Sequence, residues 1–404
     1  MYPERVVSGM RPTDSLHLGH YLGSLKQWLT LQAETPCLFF VADWQALACG
    51  GANADHAQAI EKKSWDMVLD WLAAGIDPSQ ATLFIQSRIP EHAELHLLLS
   101  MATPLSWLQQ LPSFQQQSAK LAQKDQVSYG MLGSSCLQAA DTLIYRASHV
   151  PVAQDDVWHI EAMSEIARRF NHLYGKEKDF EEKSQNAVKK LGSKRAKLYL
   201  ELRAEYQQEG KEDALEQAKA VLDEAQNLSM IDRERLFGYL EGSRKLILVE
   251  PEPQIVASAQ LTGLDGRVMD HAYGNAINLR EEKHELERKI FAMPVDPGRL
   301  HHNDAGNPAH CPVWPLHQAF SRNEACEQVL QGCLKGTLGC GECKLALSNA
   351  IALVQEPIHE RAQTYLDDPS LVRAIIADGC DNARKLAQET MRDVREAVGL
   401  SYSL

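Results

Sequence analysis

The chain has 404 residues, of which 44% are hydrophobic and 24% charged, and its formal net charge is −13. This length suggests two or three domains with a large buried core. The net negative charge argues against a general nucleic-acid-coating protein, although it permits a local basic face that binds nucleic acid. No stretch approaches the roughly 18 apolar residues of a membrane-spanning helix, and no signal peptide pattern begins the chain, so we expect a cytoplasmic protein.

The first 90 residues alternate between strand-like and helix-like patterns. Short apolar runs predict strands over 5–10, 37–43 and 82–86, while apolar residues in 16–31 and 57–74 recur at helical spacing. This alternation predicts an α/β, doubly wound parallel sheet of the Rossmann-like kind. Ligands bind such sheets beyond the carboxyl ends of the strands, so the turn after the first strand is the first candidate site.

A short histidine motif, His17-Leu18-Gly19-His20, stands where this turn enters the first helix. A helix N-terminus offers free N–H groups and partial positive charge to a phosphate, and Gly19 permits close approach to the backbone. His17 and His20 share one helical face and can donate to phosphate oxygens. These residues predict a nucleotide-phosphate site, although a structural pair of histidines remains an alternative on this motif alone.

The composition changes after residue 175. Residues 176–223 are charged and helical, and they carry a basic run at Lys189, Lys190, Lys194, Arg195 and Lys197. Two interpretations stay open for this run: a solvated helical face, or a face that contacts nucleic acid. A loop-rich region follows at about 294–341, and the last 60 residues are again helical.

Four cysteines in the loop-rich region, Cys311, Cys333, Cys340 and Cys343, have the spacing C-x21-C-x6-C-x2-C. Four thiolates suit tetrahedral zinc or a [4Fe–4S] cluster. Cys326 is a competing fourth ligand, and four reduced thiols are the alternative without metal.

Further stretches match one family in order along the chain. They are SGMRPT at 8–13, HLGHYLG at 17–23, FVADW at 40–44, LQAAD at 137–141, VPV at 150–152, EIARRFN at 165–171, GYLEG at 238–242, GLDG at 263–266, RKLA at 384–387 and MRDVR at 391–395. On these stretches the chain resembles the bacterial tryptophanyl-tRNA synthetases, a branch of the class I aminoacyl-tRNA synthetases, over about residues 5–402.

The resemblance implies a tryptophan–tRNA ligase that uses ATP and Mg²⁺, forms the tryptophanyl adenylate, transfers it to tRNA and works as a homodimer. It implies catalytic roles for His17 and His20 at the ATP phosphates. It assigns the indole N–H acceptor to Asp141 and further substrate contacts to Gln138 and Asp156. It assigns ATP binding to Arg11, Pro12, Thr13, Gly19, His20, Ala153, Gln154, Asp155, Val268, Met269, Asp270, His271 and Ala272.

The chain departs from the family pattern mainly in this pocket. The family's second signature is a mobile loop with two lysines, and here Val268 and His271 replace both, while Asp270 adds a negative charge near the expected pyrophosphate. Arg267 lies one residue before the loop and is close enough in sequence to reach in. Other departures are Asp14 for a glycine, Gln45 for a histidine, Asp156 for a glutamine and the run Ser134-Ser135-Cys136.

These departures keep two further interpretations open: a paralogue that acts on another small molecule, and a catalytically weak pseudo-synthetase that binds tryptophan, tRNA or a protein partner. A subset of the family holds an iron–sulfur cluster at a similar cysteine spacing, which favours [4Fe–4S] over zinc. We expect a Rossmann-like nucleotide-binding domain with a helical C-terminal anticodon-binding domain. Along the chain, we expect the catalytic domain over 1–175, a charged helical insertion or anticodon-binding region over 176–255, a return to the catalytic domain over 256–293, and a cysteine-containing region with C-terminal helices over 294–404.

Overall fold

The structure is a computed structural model that describes residues 4–12, 14–49, 54–119, 127–175, 179–209, 211–241, 246–255, 261–299, 301 and 304–402. Thr13, one of the residues expected at the nucleotide, lies outside the described residues. Within the described part of the chain no helix is long and apolar enough to cross a membrane.

A parallel sheet forms the centre of the fold. Its strands are β1 Val6–Met10, β2 Cys37–Val41, β3 Ala81–Ile85, β4 His149–Val152 and β5 Glu252–Ile255, in the spatial order β3-β2-β1-β4-β5. Every described strand pair is parallel, and the order reverses at β1, as in doubly wound sheets. The predicted sheet class is confirmed, and the first three predicted strands agree with the structure to within two residues.

The helices follow in chain order as α1 Leu18–His20, α2 Lys26–Glu34, α3 Asp43–Cys49, α4 Ala54–Ala74, α5 Glu91–Ala102, α6 Leu105–Gln110, α7 Pro112–Ala119, α8 Tyr129–Leu143, α9 Val157–Tyr174, α10 Phe180–Lys190, α11 Ser193–Glu209, α12 Glu212–Asp223, α13 Met230–Glu241, α14 Lys283–Ala292, α15 Val313–Phe320, α16 Asn323–Leu334, α17 Cys340–Asp367 and α18 Pro369–Ala397. The helix predicted over 16–31 is divided, because a π-helical turn over Tyr21–Leu25 joins α1 to α2.

Short polar side chains define where several helices begin. The Ser128 side chain accepts a hydrogen bond from Met131 N at the start of α8. The Asp368 side chain accepts from Ser370 N and Leu371 N at the start of α18, where Pro369 occupies the first turn. These caps satisfy N–H groups that have no partner inside the helix.

Two hydrophobic cores hold the described residues together. The larger core surrounds the sheet, where Trp28 stacks on Phe39 with ring centroids 4.1 Å apart and meets the edge of Trp71. It includes residues from α15, α17 and α18, so the C-terminal helices belong to the same core as the sheet. The smaller core lies among α10–α13 and contains the buried Tyr199.

The last helix, α18, lies against the edge strand β3. A Cβ at Gly379 would meet the carbonyl oxygen of Leu83 at 1.9 Å, so only glycine allows this approach. Ion pairs from Arg384 to Glu91 at 3.1 Å and from Arg395 to Glu94 at 2.5 Å connect α18 to α5. These C-terminal arginines therefore hold the helices of the core together.

Candidate active site

Three contacts from distant parts of the chain fix the start of the first helix. Leu16 N donates to Asp70 Oδ2 on α4 at 3.1 Å, Leu18 N donates to Ile277 O at 3.0 Å, and Leu279 N donates to Leu16 O at 2.7 Å. The histidine motif is thus hydrogen-bonded to the segment that follows the predicted signature loop. The two motifs, separated by about 250 residues of chain, form one site.

Backbone hydrogen bonds set the tautomers of His17 and His20. His17 Nδ1 accepts from Gly19 N at 3.1 Å, and His20 Nδ1 accepts from His17 N at 3.3 Å. Because Nδ1 is the acceptor in each ring, a neutral ring carries its proton on Nε2. The rings stack with centroids 3.7 Å apart, and a Cβ at Gly19 would stand 2.9 Å from the His17 ring, so the motif requires glycine there.

Both histidines are uncharged at neutral pH. Burial, together with the neighbouring His20 and His271, lowers the pKa of His17 to about 3. Burial and His271 lower the pKa of His20 to about 4. The site therefore offers two neutral Nε2–H donors rather than two positive charges, and such donors suit an anionic ligand whose own charge is balanced elsewhere.

The signature loop folds back on itself through Asn275, which is buried. Asn275 Nδ2 donates to Asp265 Oδ1 at 2.7 Å and to Val268 O at 3.1 Å, while Asn275 Oδ1 accepts from Asp270 N at 2.8 Å. Arg267 does not reach into the site, because it pairs with Asp265 and lies 4.2 Å from the centroid of the Tyr273 ring. Hydrogen bonds from Asn275 and Arg267 lower the pKa of Asp265 to about 2.

The tip of this loop meets the histidine motif. His271 Nε2 donates to Ser15 O at 2.8 Å, and the His271 ring centroid lies 5.3 Å from that of His17. Asp270 caps the short 3-10 helix His271–Tyr273 by accepting from Ala272 N at 2.9 Å. Val268 is 51% exposed whereas Met269 is buried. Of the predicted loop residues, Asp270 and His271 thus stand nearest the motif.

Asp14, the departure in the first turn, is partly balanced by a lysine. Its carboxylate lies 3.1 Å from Lys63 Nζ on α4, and its side chain is half exposed. The negative charge that this residue brings near the expected phosphate site is therefore shared with a cation from a neighbouring helix.

A cavity of about 350 Å³ lies beside the motif at the carboxyl ends of the strands. It brings together four predicted site residues, Gln138, Asp141, Ala153 and Asp156, and residues of the π-helical turn close one side. Gln154 and Asp155 are exposed on the 3-10 helix Gln154–Asp156 and are not among the described residues that line the cavity. His159 lines the cavity, and burial lowers its pKa. The charge of Arg11 lowers this pKa further, so Arg11 lies near the cavity.

Asp141 is the most buried carboxylate of the cavity, at 1% exposure. Gln45 Nε2 contacts Asp141 Oδ2, Gln86 Nε2 donates to Oδ1 at 2.6 Å, and His92 Nδ1 lies 2.7 Å from Oδ1. Neither Gln86 nor His92 was predicted as a site residue from the sequence. Gln86 directly follows β3, and residues at the carboxyl ends of parallel strands are expected near a ligand, so its position could have indicated the site. Nothing in the helical pattern of α5 distinguishes His92 from its neighbours.

The four cysteines expected to bind metal lie near one another at the junction of α15, α16 and α17. Burial, followed by the nearby Cys311, Cys333 and Cys340, raises the pKa of the Cys343 thiol to about 12. An Arg299 nitrogen lies 3.5 Å from Cys340 Sγ, and the competing Cys326 instead donates to His317 O at 3.0 Å. Among the described residues, however, no three such side chains have the arrangement of metal ligands. The expected metal cluster therefore stays a prediction.

The basic run in the helical region is largely paired with carboxylates. Lys190 lies 2.5 Å from Asp232, Arg195 lies 3.7 Å from Glu224, and Lys197 lies 3.8 Å from Glu201. Because surface pairs of this kind are weak, both interpretations of the run stay open.

Comparison with known proteins adds a family match. The family model of tRNA synthetases class I (W and Y) matches residues 2–211 and 235–354. A tryptophan–tRNA ligase from Ralstonia nicotianae is 58% identical over 403 residues, which cover 100% of each chain. A tryptophan–tRNA ligase from Thermotoga maritima is 36% identical over 402 residues, which cover 98% of this chain and 100% of the relative.

Solved structures resemble the fold. A tryptophanyl-tRNA synthetase from Campylobacter jejuni, complexed with ADP and tryptophan, has a TM-score of 0.73 at 23% identity and covers 98% of this chain and 100% of its own. One from Mycoplasma pneumoniae has a TM-score of 0.65 at 19% identity and covers 98% of each chain. At these identities the likeness concerns the fold alone.

Proposed function

The chain belongs to the class I tRNA synthetases of the tryptophan and tyrosine type, and we propose how its own residues carry out the reaction of that family. Its function is that of the bacterial tryptophan–tRNA ligases, the ATP-dependent activation of tryptophan and its attachment to tRNA. We place this activity in the cytoplasm, where tRNA is charged.

Tryptophan binds in the 350 Å³ cavity with its indole N–H on Asp141 and its amino group toward Gln138 and Asp156. The observation that carries this assignment is the burial of Asp141, a carboxylate that is 1% exposed and lines a cavity of mixed apolar and polar side chains. An unpaired acceptor at this depth is costly, so ring systems without an N–H are rejected.

ATP lies across the carboxyl ends of the strands, with its phosphates at His17 and His20. The two Nε2–H groups donate to phosphate oxygens while the tryptophan carboxylate attacks the α-phosphorus and pyrophosphate leaves. His20 and Gly23 lie one helical turn apart, and Gly23 lines the cavity, so the phosphate site adjoins the tryptophan site. The protein thus contributes mainly positioning and charge stabilisation.

Mg²⁺ would enter the site bound to ATP. Asp270 lies close enough to His17 to influence its pKa, and its carboxylate would offer the hard oxygen ligand that this ion prefers. The acidic residue that replaces a family loop position therefore suits the metal, although it opposes an unaccompanied pyrophosphate.

The experiment that tests the function is the exchange of pyrophosphate into ATP, measured with each of the twenty amino acids in turn. We expect exchange that depends on tryptophan. Exchange with a different amino acid, or with none, would contradict the assignment.

We further propose that Cys311, Cys333, Cys340 and Cys343 hold a [4Fe–4S] cluster, with zinc as the alternative. The soft donor set and the grouping of the thiols support it, and Arg299 beside Cys340 would offset negative charge. Protein purified without oxygen should contain about four irons and four sulfides per chain. Cys340→Ser should lose them and Cys326→Ser should keep them, and a metal-free wild-type protein would contradict the proposal.

We also propose a homodimer. Its support is an exposed apolar face on α5 and α6, formed by Leu97, Met101 and Leu105, which are 53%, 68% and 57% exposed, beside Trp107. A contiguous apolar face of this kind marks an interaction surface, and a second copy of the chain is the partner that the family resemblance implies.

A further inference from the structure

Behind the carboxylate of Asp141 lies a chain of buried side chains that the reaction described above does not use. Gln86, His92 and Tyr145 are each 0% exposed. Asp141 and Gln45 line the cavity, whereas Gln86, His92 and Tyr145 are not among the described residues that line it. The Asp141 carboxylate therefore lies between the cavity, on the side of Gln45, and the buried protein interior, on the side of Gln86, His92 and Tyr145.

The two oxygens of Asp141 are held differently. Oδ1 receives two donors from the protein side, Gln86 Nε2 at 2.6 Å and His92 Nδ1 at 2.7 Å. Oδ2 is contacted by Gln45, which belongs to the cavity wall and whose Oε1 accepts from Gln138 at 3.4 Å. Because a carboxylate offers about four acceptor positions, Oδ2 keeps one for a ligand.

The hydrogen bonds behind Asp141 run in one direction. Burial, and then the nearby Asp141, raise the pKa of Tyr145 well above its ordinary value, so its hydroxyl keeps its proton. The Asp141 carboxylate can only accept, so His92 Nδ1 carries a proton and donates to Oδ1. In the neutral ring Nε2 then has no proton, so it accepts from Tyr145 Oη, which lies 2.6 Å away.

The imidazole is also held in its plane by aromatic neighbours. The Phe84 ring centroid lies 6.0 Å from that of His92 and 5.4 Å from that of Tyr145. The Phe40 ring, which belongs to the cavity wall, lies 6.2 Å from His92. Rotation of His92 away from Asp141 would disturb these contacts.

We propose that His92 is a positioning residue for ligand selection: with Tyr145 behind it, His92 holds Asp141 so that Oδ2 presents an acceptor to a ring N–H in the cavity. This inference rests on the proposed function, because it explains how that site selects an aromatic side chain with a ring N–H donor. His92 itself does not touch the ligand.

The test compares two ligands that differ in one group, tryptophan and the alanine derivative that carries a benzothiophene ring, in which sulfur replaces the indole N–H. Binding of each is measured by calorimetry without ATP. His92→Leu removes the donor to Asp141. It should lower the affinity for tryptophan at least about tenfold and leave the affinity for the sulfur analogue nearly unchanged. His92→Asn keeps a donor near the Nδ1 position and should restore most of the discrimination.

Tyr145→Phe removes only the hydroxyl and should lower the discrimination a few-fold. Its matched control is Tyr199→Phe, because Tyr199 is also buried and donates to Leu236 O at 2.7 Å in the smaller core. The control should leave the ratio of the two affinities unchanged. Tyr145→Phe decides the question if His92→Leu fails to fold.

The inference would be overturned if a folded His92→Leu or Tyr145→Phe variant lost affinity for both ligands equally. It would also be overturned if the ratio of the two affinities stayed unchanged in such a variant. A wild-type protein that binds neither ligand, or binds both equally, would instead overturn the proposed function. The two failures are therefore distinguishable.

Discussion

The imidazoles of His17 and His20 couple the stability of the protein to pH. Their pKa values in the folded chain, about 3 and about 4, lie below the ordinary histidine value of about 6.5 in an unfolded chain. The unfolded state therefore binds more protons between these values, and stability must fall as the pH falls through this window. Above about pH 6.5 the stabilisation is fully present.

His20→Asn tests this coupling. The Asn Oδ1 keeps an acceptor for His17 N but does not titrate. The loss of unfolding free energy between pH 7 and pH 5, measured by urea titration, should become smaller by about 1–2 kcal/mol. An equal pH dependence in both proteins would show that folding does not lower the pKa of His20.

Restoring the loop lysines tests the other residues of the phosphate site. The double substitution Val268→Lys and His271→Lys adds two cations next to the histidine motif, where negative charge develops. We expect the rate of tryptophan-dependent pyrophosphate exchange to rise by about tenfold or more. The neutral pair Val268→Met and His271→Gln should give no gain, and a similar gain from it would show that charge is not the reason.

At the scale of elements, Asp70 connects helix α4 to both motifs. It is 2% exposed, it accepts from Leu16 N, and it pairs with Arg280. Asp70→Ala leaves both partners without this acceptor, so the free energy of unfolding should fall by about 2–4 kcal/mol. Glu61→Ala on the exposed face of α4 is the control and should change it by less than about 0.5 kcal/mol. Equal effects of the two substitutions would contradict the assigned role.

The elements of the fold were largely predictable because their patterns are local. The apolar runs at 37–43 and 82–86 predicted buried strands, and the turn before His17–His20 predicted a helix start, as the structure has them. The π-helical turn at Tyr21–Leu25 has no comparable local signal, since its residues also suit an α-helix. The position of Gly23 in the wall of the cavity, which follows from this turn, could therefore not be predicted from the sequence.

The candidate site was less predictable because its contacts join distant segments. Asp141 was found from its sequence neighbourhood, but His92 and Tyr145 meet it only through the packing of α5 against α8. Arg267 illustrates the opposite error: proximity in sequence suggested that it reaches the site, yet Asp265 and Tyr273 hold it outside. Pairings that depend on tertiary geometry leave little trace in a single sequence.

At the scale of the whole molecule, the exposed face on α5 and α6 predicts association. Met101→Glu with Leu105→Glu places two charges on this face and should convert the proposed dimer into a monomer of 45.1 kDa, as measured by light scattering. Leu353→Glu is the matched control, because Leu353 is 63% exposed on α17, a helix that packs on α4 and α14. A dimer that survives the double substitution would show that the interface lies elsewhere.

The place of α18 against β3 has a consequence for how the chain acquires its fold during synthesis. Gly379 of α18 touches the backbone of Leu83, and nearly 300 residues separate the two in the chain. The ribosome therefore exposes the sheet edge long before its covering helix has left the exit tunnel. In that interval the nascent chain carries an apolar strand without its cover, and it becomes a natural client for chaperones that bind exposed strands.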